Sequence, residues 1–468
     1  MTDTKEKGLN VSVKSFITAI VVIFVLMVAT YVLTLFVQGG EYARITDENG
    51  NVILDTVSGY HQVEGGIPFW KWILSPFLVL GASGNGALIA VIAFLLVIGG
   101  VFSSLDHCGL IKYMLNKLTH RFGAKKYRLM AVLTFFFMAL GSLVGSFEEC
   151  VPLVPIVVAL AVKLGWDPLT GLGMSLLAVG CGFAAGVCNP FTVGVAQQLA
   201  NLPMFSGIWL RLVAFVLIYA LLLGFVYLHA KKVEKKSVDQ ENAEAFVADK
   251  KLDRSLTCFA SIFGVGIVAI LSSAFIDALQ DYTMVIVAVT FLAAGITATL
   301  VAGMDGKTLG KTAWQGVTSI FPAVIMILMA ASIKYTMEEA KILDTILHGA
   351  VSLADSMQTW TVVLFIYLIV LVMNFFIASG SAKAFMLIPL LQPMAQIFGV
   401  PMQLCIVAFA FGDGFSNVFY PTNAALLISL GLADVSYGQW VKYSWKFQIM
   451  NLLLTSLILL FGLAVGYC

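Results

Sequence analysis

Two short polar interruptions, Gly145-Ser-Phe-Glu-Glu149 and Ser379-Gly-Ser-Ala-Lys383, place carboxylates in one apolar run and an ammonium in another. A charge at the centre of a membrane helix costs about 2.5–3.5 kcal/mol or more, so such groups face a partner, a cavity or a transported ligand. Glu149 and Lys383 lie 234 residues apart, as do Pro155 and Pro389, and Gly165 and Gly399; 234 is also half of the 468-residue chain. The simplest origin is a duplication whose two copies keep a polar element at equivalent depth. Neighbours on a helix point about 100° apart, so Glu148 and Glu149 cannot both face a cavity comfortably. Glu149, the counterpart of Lys383, is favoured. The plainer readings are that the Glu148/Glu149 tip caps a helix at an aqueous vestibule, and that Lys383 is the counter-ion of a buried carboxylate.

Two further breaks, Asn189-Pro190-Phe191-Thr192 and Tyr420-Pro421-Thr422-Asn423, also correspond. Pro190 and Pro421, Gly207 and Gly438, Trp209 and Trp440, and Arg211 and Lys442 are each 231 apart. A helix interrupted in hydrocarbon leaves backbone N–H and C=O groups unpaired at several kcal/mol each, unless protein, ion or substrate meets them. Asn189, Thr192, Thr422 and Asn423 offer neutral oxygens and donors there, and Ser379 and Ser381 do so at the second tip. Together with Glu149, Glu148 and Lys383 they form the candidate substrate site. Asp413, between glycines in Phe411-Gly-Asp-Gly-Phe415, and Ser146 are candidates for a coupling Na⁺ or H⁺. The bland alternative is a set of proline kinks repaired by Ser and Thr. Arg211 and Lys442 lie at span ends and read as snorkelling anchors.

The elements that must position these groups are membrane helices. The chain is 60% hydrophobic and 11% charged, with a mean hydropathy of +0.96, which excludes a soluble globular protein and predicts an all-α polytopic membrane protein. Its 27 Lys+Arg nearly cancel 26 Asp+Glu, so no net field attracts nucleic acid. H-E-x-x-H, G-x-S-x-G and Walker motifs are absent, which argues against an enzyme. The seven cysteines form no C-x-x-C pair, so they read as packing residues, with no firm metal site and no cofactor expected.

Residues 1–38 hold the first span, and 39–84 an external loop, with a hairpin turn at Asn49-Gly50 and an interfacial segment, Phe69 to Leu80. The first repeat occupies 85–230: a span at Leu88–Phe102, a cationic amphipathic helix at His107–Arg128, a re-entrant hairpin from Met130 to Gly165, a broken helix, and a span from Ile208 to Leu228. A lysine-rich linker, 231–254, belongs on the cytoplasmic side by the positive-inside rule. In 255–468 three runs (Leu256–Phe275, Met284–Val301, Ile320–Ile333) replace two spans. That extra crossing inverts the second copy, with its amphipathic helix (Thr336–Ala354), hairpin (Val362–Phe398) and broken helix (Met402–Leu430). The N-terminus is expected inside and the C-terminus outside.

Gly39-Gly-Glu-Tyr42, Asn189-Pro-Phe-Thr-Val-Gly194 with Ala196-Gln197, and Gly412-Asp-Gly-Phe-Ser-Asn417 before Tyr420-Pro-Thr-Asn423 resemble the YfcC-like branch of the anaerobic C4-dicarboxylate carrier family, within the ion transporter superfamily. The resemblance implies a homodimer in a bacterial inner membrane, built from a scaffold domain and an elevator-type transport domain. It also implies a C4-dicarboxylate or basic amino-acid substrate. The chain departs from the Ser-Asn-Thr tips of Na⁺-dicarboxylate relatives. Glu148, Glu149 and Asp413 set against Lys383 suit a cationic amino acid of the arginine/ornithine kind, taken up or exchanged. The alternatives are a small carboxylate carrier coupled to Na⁺ or H⁺ and, more distantly, an ion channel.

Overall fold

The computed structural model describes residues 13–46, 52–54, 59–82, 86–122, 125–143, 145, 147–203, 205–234, 248–273, 283–352 and 357–467. Helix α1 (Val13–Phe36) leads into two short antiparallel pairs. Strand β1 (Gly40–Tyr42) pairs with β4 (Tyr60–Gln62), and β2 (Arg44–Thr46) with β3 (Val52–Leu54). In the second pair Thr46 faces Val52, which brackets the expected turn at Asn49-Gly50, itself outside the described residues. Short helices α2 (Phe69–Ile73) and α3 (Ser75–Leu78) occupy the stretch Phe69 to Leu80. They precede α4 (Gly86–His107), α5 (Leu110–Phe122) and α6 (Lys126–Leu143).

The expected first hairpin is α6, a 3₁₀ turn over Glu148–Leu153, and α7 (Val154–Lys163). Next, α8 (Pro168–Leu172) continues through one π turn into α9 (Ala178–Ala185), which ends at Gly186 in the left-handed region. A π-type turn, Pro190–Gly194, and α10 (Val195–Leu199) lead to α11 (Ile208–Val233). The second half holds α12 (Lys250–Ser273), α13 (Thr283–Val301), α14 (Gly306–Glu339) and α15 (Leu343–Ser352). The paired helices α16 (Thr359–Phe376) and α17 (Gly380–Ile397) follow, then α18 (Met402–Asn417), α19 (Ala424–Leu432) and α20 (Tyr437–Ala464). Among the described residues, five helices are long and apolar enough to cross a membrane: Lys126–Leu143, Pro168–Ala185, Ile208–Val233, Thr359–Phe376 and Tyr437–Ala464.

Two boundaries differ from expectation. The third run of the second half and the start of its amphipathic helix form one 34-residue helix, α14, capped at its start by Asp305, whose side chain accepts from Thr308 N. The chain turns only at Lys341, where φ is +55°. In the first half, α4 runs on through His107, and Gly109, at φ +77°, separates it from the amphipathic α5. Local backbone reversals, which hydropathy does not see, set both ends.

The core lies where the two halves cross. Backbones approach closely because side chains are missing: a Cβ on Gly182 of α9 would strike the Met138 carbonyl of α6, and one on Gly414 of α18 would strike Ala184 of α9. In lipid, where apolar burial between helices gains little, such small-residue contacts supply the packing that holds helices together.

Candidate functional site

The site is assembled from α16, α17, α18 and the two helix breaks. Asn374 (α16), Lys383 (α17) and Asp413 (α18) are buried. The Lys383 ammonium pairs with Asp413 Oδ1 and donates to Asn374 Oδ1. The Asn374 amide nitrogen is within donating distance of the Asp413 carbonyl at 3.0 Å, Ser416 Oγ at 2.6 Å and Asn417 Oδ1 at 3.0 Å. Asn423 Nδ2 donates to Asn417 Oδ1 at 3.2 Å, while its Oδ1 accepts from Leu426 N and caps α19. Asn423 thereby closes the gap between α18 and α19 and satisfies one helix end.

The first break is stapled to the first hairpin. Val187 N donates to Ser142 Oγ at 3.0 Å and Cys188 N to the Ser142 carbonyl at 3.1 Å. Asn189 Oδ1 accepts from Thr192 N at 3.2 Å. Gly145, at φ +72°, lies directly over the Asn189 amide, with no space there for a side chain.

The first break and α18 meet the second tip at Gly380. A Cβ there would sit 2.6 Å from Thr192 Cγ2 and 2.7 Å from Asp413 Oδ2, so a residue of the first break and one of α18 flank the same spot. Thr192 Oγ1, Asp413 Oδ2 and Thr422 Oγ1 are buried and make no hydrogen bond. Buried oxygens of this kind are costly unless a ligand, ion or water completes them. Hard oxygens suit Na⁺ or a proton. A single carboxylate oxygen at Gly380 does not complete a Na⁺ shell, however, and no three His, Cys, Asp or Glu residues cluster among the described residues.

The other candidates divide by position. Ser379 caps α17, its Oγ accepting from Ala382 N, and is exposed, whereas Ser381 is half-buried. Glu148 and Glu149 begin the 3₁₀ turn of the first tip, but their side chains, like all of Ser146, lie outside the described set.

One residue went unweighted in the sequence and another was misplaced. Asn374 joins α16 to α17 and α18; its one signal was a lone amide in an apolar run. Arg211 is not a snorkelling anchor. It is fully buried and donates from Nε to the Val187 carbonyl at 3.3 Å and from Nη2 to the Phe205 carbonyl at 3.1 Å, whereas Lys442 is exposed.

Comparison with known proteins agrees with a carrier. Residues 16–464 match the family DcuC, described as C4-dicarboxylate anaerobic carrier. The chain is 28% identical over 404 residues to an Escherichia coli (strain K12) protein named "Putative basic amino acid antiporter YfcC", covering 82% of this chain and 79% of that one. A Haemophilus influenzae protein without an assigned function is 22% identical over 398 residues, covering 80% and 76% of the two chains. Among solved structures, the YdaH transporter of Alcanivorax borkumensis aligns over 97% of this chain and 98% of that one, at 17% identity and a TM-score of 0.47. MtrF of Neisseria gonorrhoeae aligns over 94% of both chains, at 15% identity and a TM-score of 0.45. With its family match spanning nearly the whole length, this chain is a membrane transporter that belongs to the C4-dicarboxylate anaerobic carrier family.

Proposed function

We propose that the chain is a secondary active transporter of a bacterial cytoplasmic membrane that takes up or exchanges a basic amino acid of the arginine/ornithine kind. The observation that carries this reading is the buried meeting point at Gly380. There Asp413 presents an open oxygen on the same spot as the Thr192 methyl group, while Lys383 holds its other oxygen. A carboxylate oxygen without a partner suits the positive end of a substrate, or a coupling proton or Na⁺. Glu149 or Glu148 at the first tip adds a second acidic contact, and Asn189, Thr192, Thr422 and Asn423 orient the ligand. Lys383, engaged by Asp413 and Asn374, serves as the fixed cation of the site. The relative named as a basic amino acid antiporter supports the substrate class.

In this reading the two halves form an inverted repeat around one central site, and a transport domain carrying both hairpins and both broken helices moves against a dimeric scaffold. A second reading, a small dicarboxylate carrier coupled to Na⁺ or H⁺, is favoured by the description of the family.

Proteoliposome uptake of radiolabelled arginine, ornithine, succinate and fumarate, with and without Na⁺ or proton gradients, separates the two. Arginine or ornithine uptake, stimulated by the other amino acid inside the vesicle, is expected; succinate uptake with no response to basic amino acids sinks the first reading. Glu149→Gln is expected to lower uptake strongly. Normal transport by that variant removes Glu149 from the site.

A further inference from the structure

The first helix break is met from α11 by a buried charge, Arg211. Arg211 fastens to the Val187 carbonyl, at the end of α9 and two residues before Asn189. In the second half, 231 residues on, the carbonyl of Val418 at the end of α18 is met by Trp440 Nε1 at 2.7 Å, and that of Phe419 by Tyr437 OH at 2.8 Å. Neutral donors therefore suffice to satisfy such a carbonyl end. A guanidinium in the corresponding role adds a full positive charge in a place where burial opposes it.

That charge has no carboxylate partner among the described residues. The ionisable neighbours of Arg211 are Tyr467 and Cys188. The Tyr467 hydroxyl hydrogen-bonds with the guanidinium and donates its own proton to the Gly207 carbonyl. Nη1 is buried and makes no hydrogen bond. Lys383, by contrast, is committed to Asp413 and Asn374. A planar guanidinium fixed by two carbonyls and a neutral hydroxyl, with Nη1 left without a hydrogen bond, has the geometry for an anionic oxygen.

We propose that Arg211 is the carboxylate-binding residue of this carrier. Nη1 donates to a carboxylate oxygen of the substrate, while the Val187 and Phe205 carbonyls fix the plane of the group. The inference rests on the reading of the chain as a carrier of amino acids or carboxylates, and it makes the first break the anionic-group end of the site and the Asp413 side the opposite end.

The test measures binding to the purified full chain for two pairs of ligands that differ in the carboxylate: L-arginine against agmatine, and succinate against succinamide. Wild type is expected to prefer the acid of the pair it recognises. Arg211→Gln should cut that preference about tenfold or more, the scale of one lost charge-assisted hydrogen bond, and leave the affinity for the carboxylate-free analogue nearly unchanged. Arg211→Lys, which keeps a buried cation without the fork, should fall between and is the variant to read if Arg211→Gln does not fold. Equal losses for both members of a pair, or an unchanged preference, would overturn the proposal, because a purely structural cap affects both ligands alike. If only the succinate pair shows the effect, the amino-acid reading fails and the role of Arg211 stands; if neither acid binds the wild type, both fail.

Discussion

Lys383 and Asp413 have value only as a pair. Each is fully buried, and removing one partner strands the other charge, a loss of about 3–5 kcal/mol, whereas replacing both with apolar or neutral groups of similar shape is often nearly neutral. Lys383→Met and Asp413→Asn should each lower the thermal midpoint of the purified protein in detergent clearly, and the double variant should recover more than half of either loss. Simple additivity of the two losses would show that they do not act as a unit. Asn374 belongs to the same unit, because its amide spans Lys383, Asp413, Ser416 and Asn417. Both charges stood out in the sequence as isolated ionisable residues in apolar runs, and the counter-ion alternative for Lys383 was already legible there. Their mutual contact was not, because it depends on how α17 crosses α18.

At the scale of elements, helices touch through glycines, and the space at each one predicts the outcome of filling it. Gly414→Val drives a side chain into the Ala184 backbone of α9, and overpacking of this kind costs about 1–3 kcal/mol. Gly224→Ala, in α11 with nothing within 4 Å of the added Cβ, should instead stabilise by about 0.4–1 kcal/mol. Thermal unfolding of the two variants side by side checks both signs; a tolerated Gly414→Val would mean that α9 and α18 are not in this close contact. The same logic applies at the second tip. Gly380→Ala intrudes on Thr192 and Asp413 and should reduce substrate uptake in proteoliposomes at least about tenfold, with little loss of expressed protein. Helix existence and type were clear from hydropathy over most of the chain, as were both interrupted tips and both breaks. The fusion of a span with an amphipathic segment into α14 was not, because that depends on a backbone reversal at Lys341 which no composition signal marks.

Across the whole molecule, polar ties join distant segments at the ends of the helices. Gly40 N donates to the Lys341 carbonyl at 2.8 Å and Tyr42 N to Asp344 Oδ2 at 3.1 Å, so the strand region after α1 is bound to the second half. Elsewhere Asp167 caps α8 by accepting from Thr170 N at 2.9 Å and faces His229 Nε2 of α11 at 3.0 Å. Burial alone would raise the Asp167 carboxyl, but hydrogen bonds from His229 and Thr170 outweigh it and hold the group below the ordinary carboxylate range. A depressed folded-state value means that the stabilisation is complete above about pH 4 and is lost as pH falls through the folded value. Asp167→Ala should therefore cost about 1 kcal/mol near neutrality, the usual scale of a lost N-cap, and flatten the dependence of the thermal midpoint on pH below about pH 4. An unchanged slope would show that Asp167 carries no such linkage.

The sequence by itself determined the class of the molecule, the number and character of its polar breaks and the matched spacing of its halves. The first two follow from the local demands that lipid makes on backbone and side chains, and the spacing from a duplication. Only the tertiary structure decided which polar groups satisfy one another. It paired Lys383 with Asp413 across a 30-residue separation, brought Thr192 and Asp413 together at Gly380, and turned Arg211 from an apparent anchor at a span end into a buried group on the first break. Partnership depends on helix crossings set by close glycine contacts between segments far apart in the chain, and no local pattern encodes where those crossings fall.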